Sequence, residues 1–312
     1  MRSLAPVLAL LLAGCALPRG VDAEPGAPVT SLELQALVEA RADGFDGVVG
    51  VYVRHLETGA TAALRADETF PTASLIKVPI LVSVFDRLAA GELAMDQRLT
   101  FRDSLRYAED EGELFAQLRD GSTVFLHSAV EQMLAASDNT ASLWLQALVG
   151  GEAINDWLAA HGFRATRVNS RTPGRQPDWE VYGWGQTTPR EMAELVRRIV
   201  EGEAVGAAAD DEMHRLLTRT HWDDEAIASL PPSVQVASKQ GAVSRSRSEV
   251  VYVHAPSGPY VLCVITKDQA DTGYDTDNAG FALIRDLSRI VWTAFEPASS
   301  WRPVPGTERF RP

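Results

Sequence analysis

The spacing of apolar and polar positions changes several times along this chain, and each change marks an element. Thr30 followed by Glu33 is a capping-box pattern. Behind it, Leu34, Leu37, Val38 and Arg41 recur on one helical face. GVVGVYVRHLETGATAAL (47–64) is β-rich and turns at Glu57-Thr58-Gly59, which predicts a hairpin. An apolar helix follows over 74–90, closed by Gly91. TVFLHSAVEQMLAAS (123–137) and NTASLWLQALVGG (139–151) predict two helices around a polar kink. TTPREMAELVRRIVEG (187–202) has Pro189 near a helix start and Gly202 at its end, and DDEMHRLLTRT (210–220) predicts another helix. SEVVYVHAP (248–256) and GPYVLCVITKD (258–268) read as strands joined at Ser257-Gly258, before a last helix near 277–295. Strands towards both ends enclose a helical middle, so the expected class is α+β and not alternating βαβ.

The first residues follow another pattern. Arg2 precedes an apolar run from Leu4 to Leu12 that ends in Leu12-Ala13-Gly14-Cys15. The run is too short to span a bilayer and reads as a secretory signal. Small residues directly before a cysteine resemble the lipobox of bacterial lipoproteins, in which that cysteine, here Cys15, is lipidated. The expected organisation is a signal at 1–14, a lipidated Cys15 with a Pro/Gly/Ala-rich tether to 29, a folded domain over 30–296 and a Pro-rich tail over 297–312. The protein is then exported and membrane-anchored, facing the periplasm or the cell exterior. With Cys15 acylated, Cys263 has no partner for an intramolecular disulfide, and within PYVLCVITK it reads as a buried small hydrophobe. A chain of 312 residues with 46% apolar positions is long enough to build its core without one. A net charge of −13 argues against a nucleic-acid partner, which needs a basic surface.

Chemistry concentrates at three places. In PTASLIKVPIL, Ser74 and Lys77 interrupt an apolar run at i and i+3, on one helical face. A serine hydroxyl is a weak nucleophile until a base takes its proton. A lysine can be that base if burial or another cation lowers its pKa. The helix start also offers backbone N–H groups to an oxyanion. In AASDNTAS, Ser137, Asp138 and Asn139 suit a helix break with a cap, or a hydroxyl and an amide projecting into a cleft. In VASKQGAVSRSR, Lys239, Gln240 and Gly241 suit an edge strand with a lysine and a turn glycine. His214 and His221 share a helical face with no third ligand, which reads as surface, so no metal and no cofactor are expected.

The order S-x-x-K, S-D-N, K-[TS]-G is far more specific than any one of them. The chain resembles class A β-lactamases and related penicillin-recognising serine hydrolases over roughly residues 31–296. FPTASLIKVPIL, DGSTVFLHSAVEQMLAASDNTAS, TTPREMAEL and SKQGAV carry the likeness. The resemblance implies an antiparallel sheet flanked by the N- and C-terminal helices, a central all-α subdomain, and an active site between them. Carried over by position, Ser74 is the acylated nucleophile and Lys77 its proton acceptor. Ser137 relays a proton to the leaving nitrogen, and Asn139 holds the acyl side chain. Lys239, with Gln240 and Gly241, faces the substrate carboxylate across the cleft. The N–H groups of Ser74 and Ala242 form the oxyanion hole. Arg247, eight residues beyond Lys239, supports the carboxylate, and Tyr107 forms an aromatic wall.

Two departures bear on function. Gln240 stands where the family has Thr or Ser. In TRVNSRTPGRQPDWEVYGWGQTTP, gapless alignment from Arg167 to Pro189 puts Thr172 where the family has the glutamate that activates the deacylating water. The family's Arg–Asp pair falls on Ser170 and Gly185, and its water-holding asparagine on Gln176. A threonine is no base near neutral pH, so release of the acyl group is expected to be slow. Thr172→Glu is expected to speed it. Glu180 is either a solvated loop residue or a replacement base, and Trp179, Tyr182 and Trp184 are expected to pack the loop down. The functional expectation is hydrolysis of a β-lactam or related acyl compound by a monomer. The alternatives are a D-alanyl-D-alanine peptidase or esterase, and a penicillin-binding lipoprotein that acylates and stalls.

Overall fold

The computed structural model describes residues 30–107 and 112–307. Cys15, the signal and the tether lie outside the described residues.

Five strands form one antiparallel sheet in the order β2 (Thr61–Leu64), β1 (Val48–His55), β10 (Tyr260–Lys267), β9 (Ser246–Val253), β8 (Val236–Val243). The remaining short strands are β3 (Phe70–Pro71), β4 (Arg98–Thr100), β5 (Thr123–Phe125), β6 (Arg167–Val168) and β7 (Gly185–Thr187). The helices are α1 (Ser31–Ala42), α2 (Lys77–Ala89), α3 (Leu126–Ala135), α4 (Asn139–Val149), α5 (Gly151–Ala160), α6 (Gln176–Tyr182), α7 (Pro189–Glu201), α8 (Ala207–Leu217) and α9 (Ala279–Phe295).

Both faces of the central sheet are covered, which explains its near-continuous apolar strands. Alternate residues serve the two sides. Val51, Val53, Val251, Val253, Leu262 and Val264 pack with Leu34 and Val38 of α1 and with Leu283, Leu287 and Val291 of α9. Tyr52, Val250, Tyr252, Val261, Cys263 and Ile265 pack with the helical block. Cys263 is fully buried, as its apolar surroundings predict. The end helices thus lie on one face and the all-α subdomain on the other, with edge strand β8 bordering the latter.

The capping box of Thr30 and Glu33 forms in both directions. Leu34 and Val38 turn inward, whereas Leu37 is exposed, so the α1 stripe is narrower than its spacing predicts. Pro189 opens α7 after the cap Thr188, and Gly202 closes it in the left-handed region at φ 77°. The predicted helix over 123–137 starts only at Leu126, because Thr123–Phe125 pair with Arg98–Thr100 instead. Helix α5 does not stand out in the pattern, because Gly150 and Gly151 obscure its join to α4.

Candidate active site

The nucleophile candidate is held by a strained entry. After β3 the chain passes Ala73, whose φ of 46° is unusual for a residue with a Cβ, into a 3₁₀ turn over Ala73–Ile76 that runs on as α2. Ser74 is half-buried on this turn, and Lys77 is completely buried one turn later. Lys77 Nζ donates to Ser74 Oγ at 3.1 Å, Ser137 Oγ at 3.0 Å and Asn139 Oδ1 at 2.8 Å, and also to the Ser137 carbonyl. The i, i+3 spacing therefore does place hydroxyl and amine together.

Between α3 and α4, Ser137 adopts φ 62°. That left-handed turn and the cap that follows set its neighbours. Asp138 caps α4 by accepting from Ala141 N at 2.7 Å, and its other oxygen accepts from Phe115 N at 2.9 Å. The middle acid is thus structural, and the residues on either side of it meet Lys77. Glu113 adds a second carboxylate at the same helix end, accepting from Asn139 N at 2.7 Å and Thr140 N at 3.1 Å. Burial, opposed by these N–H groups, pushes its carboxyl up to about 7. Nothing in the pattern marks Glu113, since it meets Asn139 from 26 residues away. Tyr107 donates its N–H to Thr140 Oγ1 at 3.1 Å and lies edge-on to Trp184 at 5.1 Å.

Across the cleft, Lys239 on β8 is buried, and its Nζ donates to Ser137 Oγ at 3.0 Å, to the Gln240 carbonyl at 2.8 Å and to Gln240 Oε1 at 3.0 Å. A hydrogen-bonded path therefore runs Ser74, Lys77, Ser137, Lys239. Burial, and then the charge of Lys77, push Lys239 well below an ordinary lysine, while Glu225 and Glu249 act the other way. Those carboxylates belong to the other side of the strand. Glu249 accepts from Ser238 Oγ at 2.7 Å and from Ala226 N, and burial pushes it up to about 7. Burial and then Glu249 push Glu225 well up. Gly241 lies against the nucleophile: a Cβ there would stand 2.7 Å from Ser74 N and 2.8 Å from Ser248 Oγ. Glycine is required by this close approach. Ala242 follows it, half-buried on the same strand.

Arg247 is not brought to the cleft. In the β8–β9 register Gly241 pairs with Ser248 and Ala242 with Arg247. Successive side chains on a strand point to opposite faces, so Arg247 and the site-facing Ser248 diverge. Arg247 is completely buried. Its guanidinium donates to the carbonyls of Val243, Ser246 and Gly273 and lies 4.5 Å and 4.8 Å from the rings of Tyr274 and Phe281. Counting eight residues from Lys239 could not reveal this, because the face is set by pairing register.

The 166–189 segment is closed without an ion pair between positions 170 and 185. Ser170 Oγ donates to Gln146 Oε1 at 2.7 Å, and Gln146 Nε2 donates back to the Ser170 carbonyl. Arg175 holds Asn169 Oδ1 at 2.8 Å and Gln186 Oε1 at 3.0 Å. Thr172 is buried, its hydroxyl donating to the Ser170 carbonyl at 2.9 Å. It fills the space left by the missing side chain of Gly151, where any Cβ would collide with it. Glu180 is exposed on α6, with Gln176 Nε2 3.3 Å from its Oε1, which agrees with the solvated reading. Of the three aromatics expected to pack this segment, Trp184 meets Tyr107, while Trp179 is 44% exposed.

His221 lies beyond the end of α8, so it shares no helical face with His214; that residue instead faces His254, Nε2 to Nε2, at 3.3 Å. Among the described residues no group of three or more His, Cys, Asp or Glu could hold a metal ion.

Comparison with known proteins places this geometry. Residues 31–295 match the beta-lactamase enzyme family. Beta-lactamase AST-1 of Nocardia asteroides is 29% identical over 313 residues, covering 91% of this chain and 94% of that protein. A beta-lactamase of Streptomyces albus G is 28% identical over 262 residues, covering 78% of each. Among solved structures, PBP-A is 28% identical with a TM-score of 0.76, covering 88% of this chain and 99% of its own. A beta-lactamase from Sphaerobacter thermophilus is 26% identical with a TM-score of 0.75, covering 86% and 99%. With the α+β architecture, the Ser74–Lys239 path and a match over nearly the whole described domain, this chain belongs to the beta-lactamase enzyme family.

Proposed function

We propose that the protein is a serine hydrolase of the class A β-lactamase type, opening a β-lactam or a related acyl compound through an acyl-enzyme at Ser74. The observation that carries this is the hydrogen-bonded path from Ser74 through Lys77 and Ser137 to Lys239. Two amines around one hydroxyl disfavour a second positive charge, which leaves a neutral amine for proton transfer. Lys77 takes the Ser74 proton as Oγ attacks the acyl carbon. The carbonyl oxygen becomes an oxyanion facing the N–H groups of Ser74 and Ala242. As the oxyanion collapses and the C–N bond breaks, Ser137 gives its proton to the leaving nitrogen and takes the one held by Lys77, so the ring or chain opens and Lys77 is neutral again. A relative supports the same outcome: PBP-A carrying L158E is described as an acyl-enzyme complex with penicillin-G, at 29% identity and a TM-score of 0.76.

A slow-release reading has its own support. Thr172 is engaged with Ser170 and Gly151, and Glu180 faces solvent, so the 166–189 segment offers no carboxylate at the family's base position. On this reading the acyl-enzyme is long-lived, and the protein behaves as a penicillin-binding or peptidase-like member of the family. The full chain in detergent, given a chromogenic cephalosporin and followed by intact mass, separates the cases. Turnover supports the lactamase, and a persistent adduct lost in Ser74→Ala supports the binding protein. Neither signal overturns both.

The Leu12–Cys15 pattern supports export and lipid attachment at Cys15. Incorporation of labelled palmitate that is lost in Cys15→Ser tests it.

A further inference from the structure

We infer that the side of the cleft bordered by β8 is built for an uncharged group, so that the preferred substrate is a neutral acyl compound such as an ester or a carboxamide, and not one with a carboxylate beside the scissile bond. This rests on the acyl-enzyme reading above and names the substrate class for that site.

The argument is a count of donors. A lysine has three N–H groups when charged and two when neutral, so three acceptors occupy it in either state. Those of Lys239 are matched by Ser137 Oγ at 3.0 Å, the Gln240 carbonyl at 2.8 Å and Gln240 Oε1 at 3.0 Å. A carboxylate could reach this amine only by displacing one of them. Ser137 is the proton relay, and the Gln240 carbonyl is fixed in the strand backbone. That leaves the Gln240 side chain, which is 9% exposed and folded over its neighbour. A threonine in its place would offer a short hydroxyl donor and leave one ammonium N–H open. The glutamine instead occupies the amine through its Oε1, and its amide brings no charge for a carboxylate to meet.

The other basic group assigned to a carboxylate is also committed. Arg247 is fully enclosed on the opposite strand face and donates to three backbone carbonyls. Ser248, which does face Gly241, donates its hydroxyl to the carbonyls of Thr72 at 3.3 Å and Gly241 at 3.1 Å. The lowering of Lys239 by burial and by Lys77 acts in the same direction, because it weakens the positive charge available there.

A charge-assisted hydrogen bond changes affinity by roughly ten- to a hundredfold. The test uses a matched pair, benzylpenicillin and its uncharged methyl ester, on the full chain in detergent, with the Ser74 adduct timed by intact mass. The expected result is that the ester acylates at least as fast as the acid. Gln240→Thr should then shift the rate ratio towards the acid by about tenfold. An acid that acylates the unmutated protein tenfold or more faster than the ester overturns the inference while leaving the acyl-enzyme intact. Absence of a Ser74 adduct with either compound overturns the acyl-enzyme reading and the inference with it. The comparison on the unmutated protein stands even where Gln240→Thr fails to fold.

Discussion

Two regions flank the same nucleophile and differ in what holds them. On the acylation side, Ser74, Lys77, Ser137 and Lys239 are joined by side-chain hydrogen bonds, and the backbone is strained at Ala73 and Ser137 to aim them. On the side of the 166–189 segment, the buried polar groups bond mostly to one another, although Asn169 Nδ2 is left without a partner. Ser170 bonds Gln146, Arg175 bonds Asn169 and Gln186, and Thr172 bonds Ser170. The first region presents groups to a ligand, whereas the second closes on itself. A fold can therefore keep a connected nucleophile candidate while the neighbouring segment is held by polar contacts of its own.

The largest effect is expected from Lys77→Met, which removes the proposed base of Ser74. Acylation timed by intact mass should slow by about 10²–10⁴-fold. An acylation rate within tenfold of the parent would show that the path is not the catalytic one.

Gly241→Ala is next. The added methyl would meet Ser74 N and Ser248 Oγ inside normal contact distance, and overpacking of this kind destabilises by about 1–3 kcal/mol. A lowered Tm with slower acylation is expected, and an unchanged Tm would mean that β8 shifts freely from the nucleophile. Thr172→Glu probes the second region. The side chain at 172 packs against Gly151, which favours a different outcome from the faster release expected from the sequence. The larger side chain should destabilise by a similar amount, about 1–3 kcal/mol, without shortening adduct lifetime. A markedly shorter lifetime would show that the segment can open towards Ser74.

A pH experiment separates the sheet from both regions. Glu249 is fully buried and its carboxyl is raised from 4.5 to about 7. Between those values the folded state holds a proton that the unfolded state has released, so the stability from this group is present below 4.5 and lost as pH rises to 7. Tm should fall over that window, and Glu249→Gln should flatten part of the slope. An unaltered slope would place the titration elsewhere. The smallest effect is expected from Glu180→Gln. As an exposed residue on α6 it should leave stability within about 0.5 kcal/mol and adduct lifetime unchanged. A lengthened adduct lifetime would restore Glu180 as the base.

Much of the fold was legible because its signals are short. The Thr30–Glu33 capping box and the i, i+3 pair of Ser74 and Lys77 each lie within about one helical turn, and Pro189 and Gly202 each mark one end of α7. The three motifs in order marked the candidate site, and Ser74, Lys77, Ser137, Asn139 and Lys239 meet as their positions implied. Arg247 was misplaced because its direction follows from pairing with Ala242, a register that no local spacing encodes. Glu113 was missed because it reaches α4 from 26 residues away.

The sequence by itself determined which residues are candidates for the chemistry and which loop position lacks a carboxylate, since identity and order are linear facts. Tertiary structure alone decided where those groups point. It buried Arg247 behind the sheet, turned Thr172 onto Gly151, paired Glu225 with Glu249 behind β8, and folded the Gln240 amide onto Lys239. The physical reason is that a side chain's direction depends on strand register, on packing space and on which buried donors remain to be satisfied. Those are settled only when distant segments meet.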